Sequence, residues 1–185
     1  DSNPDLYLTS QDFGNDKIRF GDGKAAMKNL KVEGGPQQAY QLGFEYRDPN
    51  FWNVGITSNY FSNGYVSPSG LVRSDNFRLD LDGQEYSNFD PDIARETLRQ
   101  EQFDDYFLFN AIGGKSWKVN DYYIGFFAVI NNIFGEEYIT GGFEQSRRAN
   151  FQNRTEDLNR ENPLFGNRYF FGRGTTYYLN VYVRF

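Results

Sequence analysis

The sequence predicts an all-β fold, a transmembrane antiparallel β-barrel segment with long extracellular loops, and three observations predict it. The first is the end of the chain. In Tyr177-Tyr178-Leu179-Asn180-Val181-Tyr182-Val183-Arg184-Phe185, the residues Tyr177, Leu179, Val181, Val183 and Phe185 fall on one face of a strand, while Tyr178, Asn180, Tyr182 and Arg184 fall on the other. A wholly apolar strand face suits lipid when the opposite face meets a wet lumen. Nine residues also match the ~9–11 that a tilted membrane strand needs. The second is composition. Aromatics make up 19% of the 185 residues, with 14 Tyr and 19 Phe, yet hydrophobic residues total only 38% and the mean hydropathy is −0.73. Such a balance fits a thin apolar band edged by aromatic girdles better than a packed soluble core. The third is an alternation of short turns with long loops along the chain.

The elements follow in order. Residues 1–37 are polar and broken by Gly, Pro, Asn and Asp, and read as a long loop with a short strand near Met27–Val32. Ala39–Tyr46 is the first clear strand, with Tyr40, Leu42, Phe44 and Tyr46 on one face. Arg47-Asp48-Pro49-Asn50 is a tight-turn sequence. Phe51–Phe61 follows, with Trp52, Val54, Ile56 and Tyr60 alternating with Asn53, Gly55, Thr57 and Asn59, so the two strands read as a hairpin. Residues 62–102 form an irregular segment in which Asp90-Pro91 opens a surface helix to about Gln102, since Asp is a good N-cap and Pro suits the first helical position.

A third strand runs from about Asp105 to Trp117 and a fourth from Tyr122 to Phe134, joined by Lys118-Val119-Asn120-Asp121. Both faces of this second hairpin carry apolar residues, so its lipid face is not assigned by alternation. Residues 135–168 are another long loop, and the final strand is entered from Tyr169-Phe170-Phe171.

The turns at 47–50 and 118–121 are short and the loops 1–37, 62–102 and 135–168 are long. Membrane barrels of bacteria have short periplasmic turns and long extracellular loops. With Phe185 periplasmic, counting back puts both short turns in the periplasm and all three long loops outside. Tyr46, Trp52, Trp117 and Tyr122, with Phe51, Tyr123 and Phe185, then cluster at the inner interface as an aromatic girdle. Five strands cannot close a membrane barrel, and an open edge in lipid leaves backbone groups unsatisfied. The chain begins at Asp1-Ser2-Asn3-Pro4 without Met, basic n-region or apolar leader, which fits a removed signal peptide or an internal fragment; a fragment is expected, with the remaining strands in further sequence rather than in another chain.

Composition also excludes function classes. With no Cys and no His, the chain lacks thiol nucleophiles, the commonest general base and the commonest transition-metal ligands. No paired-carboxylate site is evident either, so no enzymatic activity, catalytic residue or cofactor is expected. A net charge of −6 argues against nucleic acid as a partner.

A resemblance sharpens this reading. Asn131-Asn132-Ile133-Phe134-Gly135-Glu136-Glu137-Tyr138 resembles the penultimate-strand signature NNLFD..Y of TonB-dependent outer-membrane receptors. The stretches Ile139–Gln145, Asn162–Gly166 and Phe171–Phe185 look like the carboxy-terminal end of Bacteroidota members of that family, and Gly43–Trp52 and Gly113–Trp117 are similar to the same group. The resemblance covers most of residues 36–185. It implies that residues 1–185 are the carboxy-terminal part of one barrel domain, the last five or so strands of a 22-stranded plugged barrel, with plug and TonB box upstream. It implies energised uptake of nutrients such as iron chelates, cobalamin, glycans or peptides. Implied partners are TonB, outer-membrane lipid and lipopolysaccharide, the barrel-assembly machinery, and in some members a substrate-capturing surface lipoprotein. It also assigns to Tyr177, Leu179, Val181, Val183 and Phe185 the assembly signal and the closing strand. A passive porin or adhesin-like barrel shares the same wall, and a soluble aromatic-rich β-sandwich that binds sugars is a further alternative.

Several motifs carry sharper alternatives. Asn131-Asn132 reads either as a contact to plug or substrate, or as a strand end whose amides bond nearby backbone. Asp80, Asp82 and Glu85, spaced around Gly83, partly echo a calcium loop; the competing reading is a solvated acidic turn. Arg147, Arg148, Arg154 and Arg160 suit anionic substrate or lipopolysaccharide phosphates, or, with Glu144, Glu156, Asp157 and Glu161 among them, a mixed-charge solvated loop. Lys115 reads as a snorkelling neighbour of Trp117. Gly172-Arg173-Gly174 lacks the spacing, Lys and following helix of a phosphate loop.

Overall fold

The computed structural model describes residues 24–80, 82–145 and 150–185, together with the backbone of two short strands before them. In chain order the elements are β1 (Tyr7–Thr9), β2 (Lys17–Arg19), β3 (Gln38–Asp48), β4 (Trp52–Ser62), α1 (Pro91–Thr97), β5 (Tyr106–Val119), β6 (Tyr122–Asn131), β7 (Ile139–Phe143), α2 (Phe151–Asp157), β8 (Arg168–Phe171) and β9 (Thr176–Arg184). The main sheet has five antiparallel strands in the order β3-β4-β5-β6-β9, and β1-β2 and β7-β8 form separate two-stranded sheets. The fold is therefore mostly β and antiparallel. Among the described residues the main sheet is open, with β3 and β9 at its edges.

The chain divides into two compact units. The first, here the sheet unit, is Gly35–Gly64, Phe103–Thr140 and Phe170–Phe185; the second, the loop unit, is Asp1–Gly34, Tyr65–Gln102 and Gly141–Tyr169.

In the sheet unit the hairpin turns set the register. Asp48 opposes Trp52, and the intervening turn closes with Phe51 N–H donating to Asp48 O at 3.0 Å, Phe51 itself having φ 64°. The second hairpin is tighter than the sequence predicts: Val119 opposes Tyr122, leaving Asn120-Asp121 as a two-residue turn with Asn120 at φ 55°. Strands β3 and β4 have 11 residues each, β5 has 14 and β6 has 10. Eleven residues rise ~37 Å along the strand, or ~26 Å across a slab at ~45° tilt.

Three expectations about elements need correction. Met27–Val32 is not a strand: Leu30 N–H reaches back to Met27 O at 3.4 Å around Asn29, whose φ of 67° is that of a turn. The fourth strand ends at Asn131 and not at Phe134, because Asn132 takes φ 50°, which no strand residue adopts. The chain before β9 is not one long strand, since Arg168–Phe171 pairs with β7 and the Gly172-Arg173-Gly174 stretch separates it from β9.

The loop unit has its own core. Val72, Phe77, Ala94 and Phe151 are buried together, with Tyr86, Phe89, Ile93, Leu98 and Phe165 packed against them. Phe151 is its centre, with the Phe89 ring 4.9 Å away and the Phe77 ring edge-on at 6.1 Å. Helix α1 starts where the sequence predicts, with the Asp90 carboxylate accepting from Asp92 and Ile93 N–H and Pro91 in the first turn. It ends at Thr97, not Gln102, because Leu98 leaves helical geometry and its carbonyl is taken by Arg73 Nη2 at 2.9 Å. It is also more than a surface helix, since Ala94 is buried in the core. Helix α2, unpredicted, is capped by Asn150, whose side chain accepts from Asn153 N–H at 3.0 Å.

Candidate functional site

The sheet presents one continuous apolar face. The pairs Tyr46–Val54, Val54–Gly113, Gly113–Ala128 and Ala128–Leu179 stand opposite one another across all five strands. Opposed residues share a face, so this chain of pairs settles the hairpin that alternation left open. Phe107, Phe109, Ala111, Gly113, Trp117 and Val119 of β5, and Tyr122, Ile124, Phe126, Ala128 and Ile130 of β6, lie on the same face as Leu42, Phe44 and Val54. The face is uncovered: Leu42 is 78% exposed, Phe44 67%, Leu179 64% and Val181 68%. From strand spacing and rise it measures about 24 Å by about 30 Å, roughly 700 Å². Soluble monomers rarely leave contiguous apolar patches beyond a few hundred Å².

Two aromatic rows bound this face. At the end bearing the short turns, Tyr46, Trp52, Trp117 and Tyr122 lie on this face, with the Tyr46 and Trp52 rings 5.1 Å apart. Lys115 belongs to this rim; its Nζ lies 6.0 Å from the Trp117 ring and donates to Asn50 O at 2.7 Å. Tyr123 does not belong: it opposes Arg184 and Lys118 and so points to the polar face. At the other end, Tyr40, Tyr60 and Phe107 form a ladder with centroid steps of 6.2 and 4.6 Å, continued by Phe109 and Phe134 at 5.2 Å. This second row was not singled out in the sequence, although the i, i+2 pattern of β5 and the partner spacing of β4 contain it.

The opposite face is polar and cross-linked by amides. Gln41 Nε2 donates to Asn59 Oδ1 at 2.9 Å, and Asn59 Nδ2 donates to Leu108 O at 3.1 Å. Gly125 lies under Tyr182; a Cβ there would come within 2.7 Å of the phenol. The Tyr182 hydroxyl in turn hydrogen-bonds Ser116 Oγ.

Asn132 ties together the end of the sheet unit away from the short turns. Its side chain accepts from Glu136 N–H and donates to Glu136 O, both at 2.9 Å, and donates to Arg173 O at 3.2 Å. Its N–H donates to Asn110 Oδ1 at 2.9 Å, and its carbonyl accepts from Thr175 Oγ1 at 2.8 Å. Only 4% exposed, it binds backbone and leaves nothing for an outside ligand. Asn131 Nδ2 meets Thr176 Oγ1 at 3.4 Å. Below it, the Tyr138 ring stacks on Tyr106 at 4.4 Å and lies over Gly172, where a Cβ would sit 2.0 Å from the ring.

In the loop unit the charged residues do other work than the sequence suggests. Arg73 and Glu144 form a doubly bonded ion pair, with side chains 4% and 3% exposed. Arg73 also donates to Ser69 O and Leu98 O, and Glu144 Oε2 accepts Ser69 N–H at 2.9 Å. Arg154 is buried as well, contrary to a solvated mixed-charge loop. Burial pushes its pKa down, and the opposing field of Glu144 raises it. Asp157 accepts from the backbone N–H groups of Leu164 and Phe165 and meets Arg160 at 3.4 Å. Arg147 and Arg148 lie outside the described residues.

Of the calcium candidates, Asp80 spends Oδ1 on the N–H groups of Asp82 and Gln84, both at 2.9 Å, and Glu85 faces Arg78 at 3.6 Å. Among the described residues no three acidic side chains converge on one point. Tyr169 donates to Glu101 at 2.8 Å; burial first, then that carboxylate, pushes the phenol up to about 12. The same unit carries an open cleft of about 340 Å³ floored by core residues.

No family model matches the chain, and neither a curated protein nor a solved structure is significantly similar to it. Among the described residues no helix is long and apolar enough to cross a membrane, which leaves strands unaddressed.

Proposed function

We propose that this chain is the carboxy-terminal wall of a TonB-dependent outer-membrane transporter, taking part in energised uptake of a nutrient such as an iron chelate, glycan or peptide. The uncovered apolar face, bounded at both ends by aromatic rows, is the observation that carries the reading. Lipid covers such a face, and rings settle at headgroup level on both sides. A soluble β-sandwich would bury this face under a second sheet, and Leu42, Phe44 and Leu179 have none over them. The Asn131–Tyr138 resemblance favours a transporter over a passive porin, which would share the wall.

In this reading Phe185 and the two short turns are periplasmic and the loop unit is extracellular. The partners follow from the resemblance: TonB through an upstream segment, the barrel-assembly machinery through β9, lipopolysaccharide and lipid on the apolar face, and a surface lipoprotein where one is encoded. The strands carry no chemistry of their own.

These 185 residues carry no Cys, and any elsewhere in the complete protein is first replaced by Ser. Single Cys substitutions along 176–184, each carrying a nitroxide, are scanned in the complete protein in outer-membrane vesicles. Oxygen accessibility is expected to peak at 177, 179, 181 and 183, and accessibility to a polar nickel complex at 178, 180 and 182. Absence of a period-two alternation sinks the lipid-facing wall. Uptake that persists without TonB, with the alternation intact, sinks the transporter and leaves the porin.

A further inference from the structure

We infer that the polar face of β9 carries a register key: the Tyr182 ring seats on Gly125 of β6 and selects one pairing of β9 among several that its apolar face accepts. The key rests on strand pairing alone and holds whether or not lipid covers the sheet.

Register follows from turn geometry in a hairpin and from the hydrophobic pattern elsewhere. Short turns join β3 to β4 and β5 to β6, whereas residues 132–175 separate β6 from β9. The pattern does not replace the missing turn. On the apolar face, Tyr177, Leu179, Val181 and Val183 stand opposite Ile130, Ala128, Phe126 and Ile124. A slip of one residue turns every one of these β9 side chains to the polar face, but a slip of two exchanges one apolar pair for another. The choice between registers two residues apart therefore falls to the polar face.

There Gly125 and Tyr182 are direct partners, and Ser116 of β5 is the next residue in the same row. The Tyr182 ring lies over Gly125, and its hydroxyl hydrogen-bonds Ser116 Oγ one strand further on. A Cβ at position 125 would come within 2.7 Å of both the phenol and Lys115 O, so the seat needs glycine. Of residues 177–184, only Tyr182 is shielded from solvent. In the two neighbouring registers Gly125 faces Asn180 or Arg184, and Tyr182 is set against the side chain of Tyr123 or Phe127, off its seat and away from Ser116. Strands β4 and β5, also separated by a long segment, repeat the arrangement. A Cβ at Gly55 would come within 2.9 Å of its partner Ile112, and one at Gly114 within 2.8 Å of its partner Asn53. Thr175, whose hydroxyl donates to Asn132 O, holds the entry to β9 from outside the ladder.

Disulfide capture reads the register. The complete protein, with any other Cys replaced by Ser, receives A128C with Y177C, L179C or V181C, and is oxidised with copper phenanthroline in the cell fraction that holds it. Opposed Cys bridge readily, while a partner two residues off lies beyond bridging distance. With Tyr182 intact, A128C/L179C is expected to give most of the product. The N180Y/Y182N exchange keeps composition and facing but moves the tyrosine by two residues. Its ring regains Gly125 when position 128 faces 177, so the A128C/Y177C yield relative to A128C/L179C rises about tenfold or more. Y182A raises the yields of A128C/Y177C and A128C/V181C together, and Y182F, which keeps the ring, leaves both within about twofold of wild type. Yields are taken as fractions of folded protein, and the exchange variant decides the matter should Y182A not fold. Relative yields within about twofold of wild type in the exchange variant, or slips as frequent in Y182F as in Y182A, overturn the key. Loss of the nitroxide alternation with these yields as expected sinks the lipid-facing wall and upholds the key.

Discussion

Removing Glu144 tests whether the loop unit is a folded body or a set of loops. In E144A the Arg73 guanidinium keeps only Ser69 O and Leu98 O as partners in a site where it is 4% exposed. The Ser69 N–H loses its acceptor as well. Arg154, on which the Arg73 field already acts, loses one of the two carboxylates that oppose it and keeps Asp157. Breaking one side of a buried pair costs about 3–5 kcal/mol, and ~4 kcal/mol is a factor of about 10³ in an opening equilibrium. Removing both charges in R73M/E144L leaves neither member of the pair as a bare ion, so the cost falls to about 1–2 kcal/mol, the share of Ser69 N–H and Leu98 O left without those partners. Hydrogen exchange by mass spectrometry reads the outcome: backbone amides in 65–102 and 150–169 lose about 10³ in protection in E144A and recover most of it in the double variant, while β5 and β6 do not change. A loss under tenfold in E144A, or a double variant as poor as the single, refutes the reasoning.

Three further outcomes follow from the same geometry. Asn132→Gly keeps the φ of 50° but removes the side-chain bonds, and Asn132→Ala loses both; A is expected to be less stable than G by about 1 kcal/mol in urea unfolding from bilayers. In the same assay Leu179→Arg costs about 2–4 kcal/mol, while Asn180→Arg, on the opposite face, costs close to nothing; equal costs would remove the lipid-facing assignment. The Tyr169 phenol favours its neutral form in the folded state, so its contribution to loop-unit stability is complete below pH 10 and lost as pH rises toward 12. Tyr169→Phe abolishes that alkaline component, measured as the difference between the two proteins' exchange protection at pH 9 and pH 11.

The hairpin of β3 and β4 was legible residue by residue because its polar positions are Asn, Gln, Thr and Glu. The hairpin of β5 and β6 was not, because Leu108, Ile112, Phe127 and Val129 put apolar side chains on the polar face too. Only its pairing with β4 and β9 decides its parity, and pairing is a nonlocal fact. The aromatic row at the short turns was legible since its members flank those turns. The loop-unit core was hidden for a different reason. Val72, Phe77 and Ala94 lie along one irregular segment and Phe151 comes from a second, more than fifty residues further on, each too polar on average to signal a core. The cap of α1 was visible as Asp90-Pro91, and its end was not, because a distant arginine terminates it. Arg154 and Glu144 read as solvated since charged residues are almost never buried unless paired, and the pairing partner is again remote.

The two units solve the stability problem in different ways. Of the buried apolar residues among those described — Ala25, Val66, Val72, Phe77, Ala94, Phe103 and Phe151 — only Phe103 belongs to the sheet unit. Five strands of up to 14 residues are thus ordered with almost no apolar burial of their own. Ordering each residue costs ~1–2 kcal/mol, and ladder hydrogen bonds return ~1 kcal/mol each after exchange with water. A sheet built this way is not stable in water unless its apolar face is covered. The loop unit carries the other six buried residues and a satisfied ion pair, and has what a water-facing module needs. A single chain of negative mean hydropathy therefore contains one part whose apolar face lacks cover and one that carries its own core.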